Sequence, residues 1–585
     1  MPRLSRRGFL ATAAVTAVAA STGTAAAEPA RAMPHGRFDL PRQGFAPPST
    51  VLRHGTPEQV GLDPLPIRSA LTQLDGWTEN DPATGHPLYS GQVTLLAQDG
   101  VIVARQAAGH ALRYADQQGD PLPATERIPM RTNTIFDLAS LSKLFTCIAA
   151  MQQVQAGTLD VTATVAGHLP DFASGGKGAI TVEQLMTHTS GLPADPDPPL
   201  WQYADRTDQL KAILEVAPQF APGSTYLYSD LNMLTLQLIL EQLTGQPLDV
   251  LVRKGITEPL GMRDTMYNPP ATLRHRIAAE EYEQGAGEPR RGLVWGVVHD
   301  ENAWALGGVA GHAGVFATVD DIAVLAQTIL NGGTYAGRRI LSEQSVTQML
   351  TNYNQRFPSD SHGLGFELDQ RWYMGRLDSA RTAGHTGFTG TTFVIDPLSR
   401  SIALQFSNRV HPTRNWGSTN LARQVAAGGL ADAMAVRGPS WYSGIGNAST
   451  ATLTTPVITT TGNALLISYD VFVDTEPEFD VVTLLVSADG MAWTTVPVTA
   501  TGTGAPTGVV NTLSGGSRAW WRVRAQRPAS SGPLLLRWQY VTDGNFTGRG
   551  VNVADVRVTD ATGLLFDGDR HRHAFTGVNW MSVTR

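Results

Sequence analysis

The chain has 585 residues, too many for one compact core, so two or more domains are expected. A formal net charge of −7 leaves no basic stripe of the kind nucleic acid requires. Beyond the N-terminus, no segment has the roughly 18 consecutive apolar residues of a membrane span.

The first residues read SRRGFLATAAVTAVAASTGTAAAEPA, with a twin-arginine pair at Arg6 and Arg7, an Ala-rich run and a small-residue site at 25–27. This resembles a Tat-type signal peptide over residues 1–27, so a secreted, extracellular protein is expected. An anchoring helix is the alternative, disfavoured because the run is short and rich in Ala and Thr. Residues 28–50, rich in Pro, Arg and Ala, read as an exposed leader. The single cysteine, Cys147, permits no intramolecular disulfide and sits in an apolar helical run, which suits a small buried side chain.

From 91 the chain reads as two strands about an Asp99-Gly100 turn. Helical spacing runs from Ser140 to about Gln155. TVEQLMTH opens with Thr181 and Gln184 in capping-box spacing. The run from Asp230 reads as a buried helix ending at Gly245, and TVDDIAVLAQTILNGG as another. GTTFVIDP and SIALQFSN read as neighbouring strands. Together these predict one α+β unit over 51–435. Residues 436–450 (GPSWYSGIGNAST within them) read as a linker. Over 451–585 the helical patterns give way to short Thr-, Val- and aromatic-rich runs, which predict an all-β sandwich.

DLASLSKLFTCIAAM places Ser140 and Lys143 three positions apart, on one face if a helix starts at the serine. A serine hydroxyl needs a neighbouring base or positive charge to be a nucleophile. The spacing alone equally describes a helix surface. A second S-x-x-K, Ser174 to Lys177, holds two glycines and reads as a loop, where the spacing means nothing. Two further motifs favour chemistry. Tyr228-Ser229-Asp230 stands before a helix, and His385-Thr386-Gly387 stands at a strand edge.

These three motifs, in this order, resemble the serine β-lactamase-like family of class C β-lactamases, D-Ala-D-Ala carboxypeptidases, D-aminopeptidases and esterases. The resemblance extends to QLMTHTSGLP, to 298–323 and to NRVHPTRN. It implies a β-lactamase/transpeptidase-like domain, with Ser140 as nucleophile, Lys143 tuning its proton and Tyr228 as general base. It also implies an oxyanion hole from the backbone N–H groups of Ser140 and Phe388, with Asp230, His385, Thr386, Gly387 and His312 supporting the site. Where the family usually has Asn and Lys, this chain has Asp230 and His385. Asp230 should raise the Lys143 pKa, and the charged lysine should then lower that of Tyr228. A histidine mostly neutral at pH 7 removes the charge that would meet an anionic β-lactam.

His188 reads as a turn-bonding residue, and Arg409 and Arg414 as solvated arginines. No histidine shows metal-ligand spacing, so no cofactor is expected in the first unit. In the C-terminal region YDVFVDTEPEFD gathers Asp470, Asp474, Glu476 and Asp480. Asp474, Glu476 and Asp480 are candidates for structural calcium, against the alternative of a solvated turn. The region resembles the jelly-roll modules appended to secreted bacterial peptidases. The expected function is an exported serine hydrolase acting through an acyl-enzyme on a small ester, peptide or peptidoglycan-derived substrate. β-Lactamase activity is the less favoured variant. The alternative is a catalytically weak penicillin-binding or surface-attachment protein whose β domain binds a cell-wall or matrix polymer.

Overall fold

A computed structural model describes residues 44–585, except 286, 358, 380, 436–438, 503, 516–519, 545–547, 549, 584 and 585. The signal segment, most of the leader and Asn545 therefore lie outside the described residues. No helix among the described residues is long and apolar enough to cross a membrane.

The first unit is built on an antiparallel sheet. Its strands are β1 (Gly91–Gln98), β2 (Val101–Leu112), β3 (Ala383–Thr386), β4 (Thr391–Asp396) and β5 (Ser401–Ser407). They lie in the order β2–β1–β5–β4–β3. Strands from the two ends of the unit therefore meet, with Ser401 opposite Gln98 and Ser407 opposite Gln92. The Asp99-Gly100 turn forms as expected, with φ of 48° and 76°, a pair of left-handed residues suited to a tight hairpin. β1, β4 and β5 are buried along their whole length because helices cover both faces of the sheet.

The helices are α1 (Pro64–Gly76), α2 (Ser142–Gln155), α3 (Asp230–Thr244), α4 (Val319–Leu330) and α5 (Asn420–Ala435). α1 packs on α5 over one face of the sheet, and α4 lies on the other. α3 ends at Gly245 with φ of 64°. The Thr181–Gln184 box closes in both directions, at 3.2 and 3.1 Å. α2 and α3 pack together within the apolar core, where Cys147 is fully buried beside Met233.

The C-terminal region is a sandwich of two sheets with its own apolar core. Its main strands are β6 (Leu465–Asp474), β7 (Val481–Ser487), β8 (Trp520–Arg527), β9 (Ser531–Val541) and β10 (Gly550–Asp560). β8, β6 and β10 are neighbours in one sheet, and β7 and β9 in the other. Along β9, Leu534, Leu536, Trp538 and Tyr540 alternate inward, the period-2 pattern of a strand with one buried face. The linker assigned to 436–450 is corrected in part. Ser440–Ser443 is a strand paired with both β10 and Met581–Val583. Its two aromatics, Trp441 and Tyr442, are too short a run to stand out among glycine and serine.

Candidate active site

The chain leaves the short strand Phe136–Asp137 and turns sharply at Ala139, whose φ is 46°. That conformation is strained for a residue with a Cβ. Asp137 holds the bend: its Oδ1 accepts from Ala139 N at 2.9 Å and its Oδ2 from His299 N at 2.6 Å. A 3-10 turn, Ala139–Leu141, then leads directly into α2. Ser140 therefore stands at a helix start with Lys143 one turn further on. Lys143 Nζ donates to Ser140 Oγ at 2.8 Å, ion-pairs with Asp230 Oδ1 at 2.7 Å and lies 3.4 Å from the His312 carbonyl oxygen. The other S-x-x-K copy does no such thing: Lys177 is buried over the Phe172 ring and donates to the Leu214 carbonyl.

Tyr228 lies across Lys143, with Nζ 4.7 Å from its ring centroid. His188 supports the ring from behind, stacked at 4.6 Å and 27°. Its Nδ1 accepts from Ser229 N and Asn232 Nδ2, both at 3.1 Å, which fixes the start of α3. The turn-bonding assignment for His188 thus holds, but the ring also positions Tyr228. Sequence spacing gives no sign of this, because 40 residues separate the two rings in the chain.

The third wall is the β3–β4 turn. Gly387 is required there: a Cβ would lie 2.1 Å from Thr391 Oγ1 and 2.4 Å from the Leu138 carbonyl oxygen. Thr391 Oγ1 donates to that carbonyl at 3.0 Å, and Thr389 Oγ1 to the Asp137 carbonyl at 2.7 Å. The turn is thereby laced to the backbone just before Ser140. The Phe388 ring stacks on His299 and under the guanidinium groups of Arg409 and Arg414. Neither arginine is simply solvated. Arg414 pairs with Glu281 and Glu301, and Arg409 Nε donates to the Phe388 carbonyl at 3.0 Å.

Ser140, Tyr228, Thr386, Gly387 and Phe388 line one cavity of about 510 Å³. Two expected supports stand behind it. His385 is buried, 6.1 Å from the Tyr228 ring, with Nδ1 on the Thr386 carbonyl. His312 is buried with Nε2 on Asp300 Oδ1 at 2.8 Å, beside the Asp230 carboxylate, and its carbonyl lies 3.4 Å from Lys143 Nζ. A residue that sequence reasoning missed does line the cavity. Arg423, on α5, is 7% exposed; its Nη2 donates to the Gly387 carbonyl at 2.9 Å and its Nε makes no hydrogen bond to a described group.

The electrostatics follow from burial against pairing. Burial pushes the Lys143 ammonium down, but Asp230 and the Tyr228 hydroxyl outweigh it, and its pKa rises, as expected from Asp230. The expectation for Tyr228 is corrected. Lys143 and Ser140 do pull its pKa down, but burial of the phenol wins and lifts it to about 12. His385 is pushed down to about 3, by burial first and by Lys143 second, so it is neutral at pH 7. Burial lowers Arg423 to about 10, so it remains a cation of that wall at neutral pH, alongside Arg409.

A family profile described as Beta-lactamase matches residues 88–428. The chain belongs to the beta-lactamase family. A Salmonella agona protein named "Putative D-alanyl-D-alanine carboxypeptidase" is 35% identical over 398 residues, covering 63% of this chain and 88% of that protein. Its Salmonella typhimurium counterpart matches to the same extent. Among solved structures, a penicillin-binding protein homolog from Caulobacter crescentus is 22% identical, with a TM-score of 0.47 over 63% of this chain and 98% of its own. A family VIII carboxylesterase is also 22% identical, with a TM-score of 0.47 over 62% and 96%. Within this beta-lactamase family, the relatives matched in sequence are named as D-alanyl-D-alanine carboxypeptidases.

A raised phenol pKa has a kinetic consequence. The ionised fraction of Tyr228 is small at pH 7 and grows about tenfold per pH unit toward 12. Hydrolysis of a p-nitrophenyl ester, corrected for its spontaneous rate, should therefore rise in kcat/KM from pH 6 to 9 without a neutral plateau. Asp230 raises the pKa of both Lys143 and Tyr228. Asp230→Asn should accordingly shift that limb to lower pH. A profile flat above pH 7 and unmoved in the variant would contradict these charge states.

Proposed function

We propose that the protein is an exported serine hydrolase that forms an acyl-enzyme at Ser140, and that its substrates are peptides ending in a free carboxylate, of the D-Ala-D-Ala type. The observation that carries the acyl-enzyme reading is the 2.8 Å contact of Lys143 Nζ with Ser140 Oγ on the wall of a cavity that Tyr228 also lines. Ser140 Oγ attacks the carbonyl carbon. The phenolate form of Tyr228 takes the Oγ proton and returns it to the leaving nitrogen as the C–N bond breaks. Water then hydrolyses the serine ester and restores Ser140. Lys143 stays an ammonium throughout, held by Asp230, and orients the Oγ lone pairs. The N–H groups of Ser140 and Phe388 are assigned to the developing oxyanion; the Phe388 N–H makes no hydrogen bond to a described group.

The carboxylate preference rests on Arg423. With His385 neutral, positive charge at the His-Thr-Gly turn comes from two guanidinium groups: Arg423 on the Gly387 carbonyl, and Arg409 on the Phe388 carbonyl. Arg423 is the one on the Gly387 side, and its Nε has no hydrogen-bond partner among the described residues. An arginine fork matches a carboxylate through two N–H donors. The names of the carboxypeptidase relatives support the same choice. The export reading rests on the twin-arginine segment alone. Attachment to a wall or matrix polymer through the sandwich is part of the same proposal.

Incubation with a fluorophosphonate or a labelled penicillin, read by intact mass, tests the acyl-enzyme. One stable adduct per chain is expected, lost in Ser140→Ala. A chain that reacts with neither reagent fits the penicillin-binding or scaffold alternative instead. Arg423→Gln tests the substrate class. It should raise KM for a D-Ala-D-Ala peptide about tenfold to a hundredfold, the scale of one charge-assisted contact of about 1.5–3 kcal/mol. Hydrolysis of an uncharged ester should change little. Equal losses on both substrates would sink the carboxylate assignment.

A further inference from the structure

The acidic run of the sandwich is not arranged as its sequence suggests. Asp470 is taken by Arg522, Nη1 to Oδ1 at 2.9 Å. Asp474 ends β6 and is not one of the gathered carboxylates. Instead Glu476 and Asp480, between β6 and β7, meet Asp543, which follows β9. One carboxylate oxygen from each of the three lies within 4.8 Å of the others.

Three carboxylates so close repel one another unless a cation joins them. No Lys, Arg or His is within ion-pair distance of Glu476 or Asp480 among the described residues. Asp480 is 0% exposed; its Oδ1 accepts from Asp543 N at 3.0 Å, while its buried Oδ2 has no hydrogen-bond partner among the described residues. Glu476 Oε2 is likewise buried with no hydrogen-bond partner among the described residues. A fully buried carboxylate oxygen left without a hydrogen-bond partner is costly, and two of them converging point to a cation.

The backbone is already set for the task. Asp480 N donates to the Glu476 carbonyl at 3.0 Å, and Thr475 Oγ1 to the Asp480 carbonyl at 2.8 Å. Gly515 N donates to Thr475 Oγ1 at 2.9 Å, which ties the 475–480 loop to a neighbouring segment. The carboxylates need no large movement to converge.

We infer that Glu476, Asp480 and Asp543 form a calcium site that fastens the loop between β6 and β7 to the end of β9. β6 belongs to one sheet of the sandwich, and β7 and β9 to the other. The ion would therefore pin the crossing point of the two layers. Hard oxygen donors without nitrogen or sulfur select calcium or magnesium, and carboxylates that bind through one or both oxygens suit the roughly 6–8 positions of calcium. The site is independent of the hydrolase reading.

Calorimetry of the full chain, freed of metal with EDTA and then given about 10 mM CaCl2, above the usual Kd range of extracellular sites, tests it. The sandwich transition should rise by roughly 5 °C with calcium. Magnesium should raise it less. The double variant Glu476→Gln, Asp480→Asn should lose the calcium response. In EDTA it should unfold no earlier than the wild type, because the repulsion is gone. No shift in the wild-type chain, or an equal shift in the variant, would overturn the site. Should the variant fail to fold, calcium titration of the wild-type chain by isothermal calorimetry decides, and absence of one saturable site overturns the inference.

Discussion

Lys143 is a buried ammonium shared between a hydroxyl and a carboxylate, and the first unit is arranged around that sharing. Removing an ammonium from water costs several kcal/mol unless partners replace its hydration. Asp230 and Ser140 do so at 2.7 and 2.8 Å. They come from two helix starts, α2 and α3, packed against each other in the core. The energetic demand of the lysine thus fixes the approach of the two helices, and the nucleophile is held in place by the same demand. Loss of one partner would strand the charge, a change worth about 3–5 kcal/mol.

The sheet supplies the opposite wall. Glycine at 387 lets the β3–β4 turn press on the Leu138 carbonyl, and two threonine hydroxyls fasten it there. Phe388 then presents its ring to His299 and two arginines, which holds its backbone beside the nucleophile's turn. The departure from lysine to histidine at 385 moves positive charge rather than abolishing it. The imidazole is buried and neutral, and the guanidinium of Arg423 reaches the same turn from α5. The site is thus assembled from three separate parts of the chain, each locked by short-range geometry of its own.

Much of this was legible in the sequence where the signal is local. A helix start brings Ser140 to Lys143, a capping box opens at Thr181, a glycine closes α3, and a loop disqualifies Ser174 and Lys177. What escaped was tertiary. Nothing in THTSG shows that His188 lies under a tyrosine 40 positions later, and nothing on α5 marks Arg423 as facing a cavity. The sign for Tyr228 failed because charge can be read from neighbours in a motif, whereas desolvation depends on how much protein covers the ring. Asp543 was missed for the same reason as Arg423: it joins Glu476 and Asp480 only through sheet pairing.

The charge on Lys143 is the point on which the catalytic account turns, and the composition makes it measurable. The chain has only four lysines: Lys143, Lys177, Lys211 and Lys254. NMR of protein carrying [6-13C]lysine, with the Lys143 signal assigned by its loss in Lys143→Arg, follows that ammonium directly through a pH titration. The account predicts a Lys143 resonance that keeps its charged shift up to about pH 10, near or beyond the ordinary lysine value. A titration of that resonance between about pH 6 and 8, the range in which a lysine serves as general base, would contradict it.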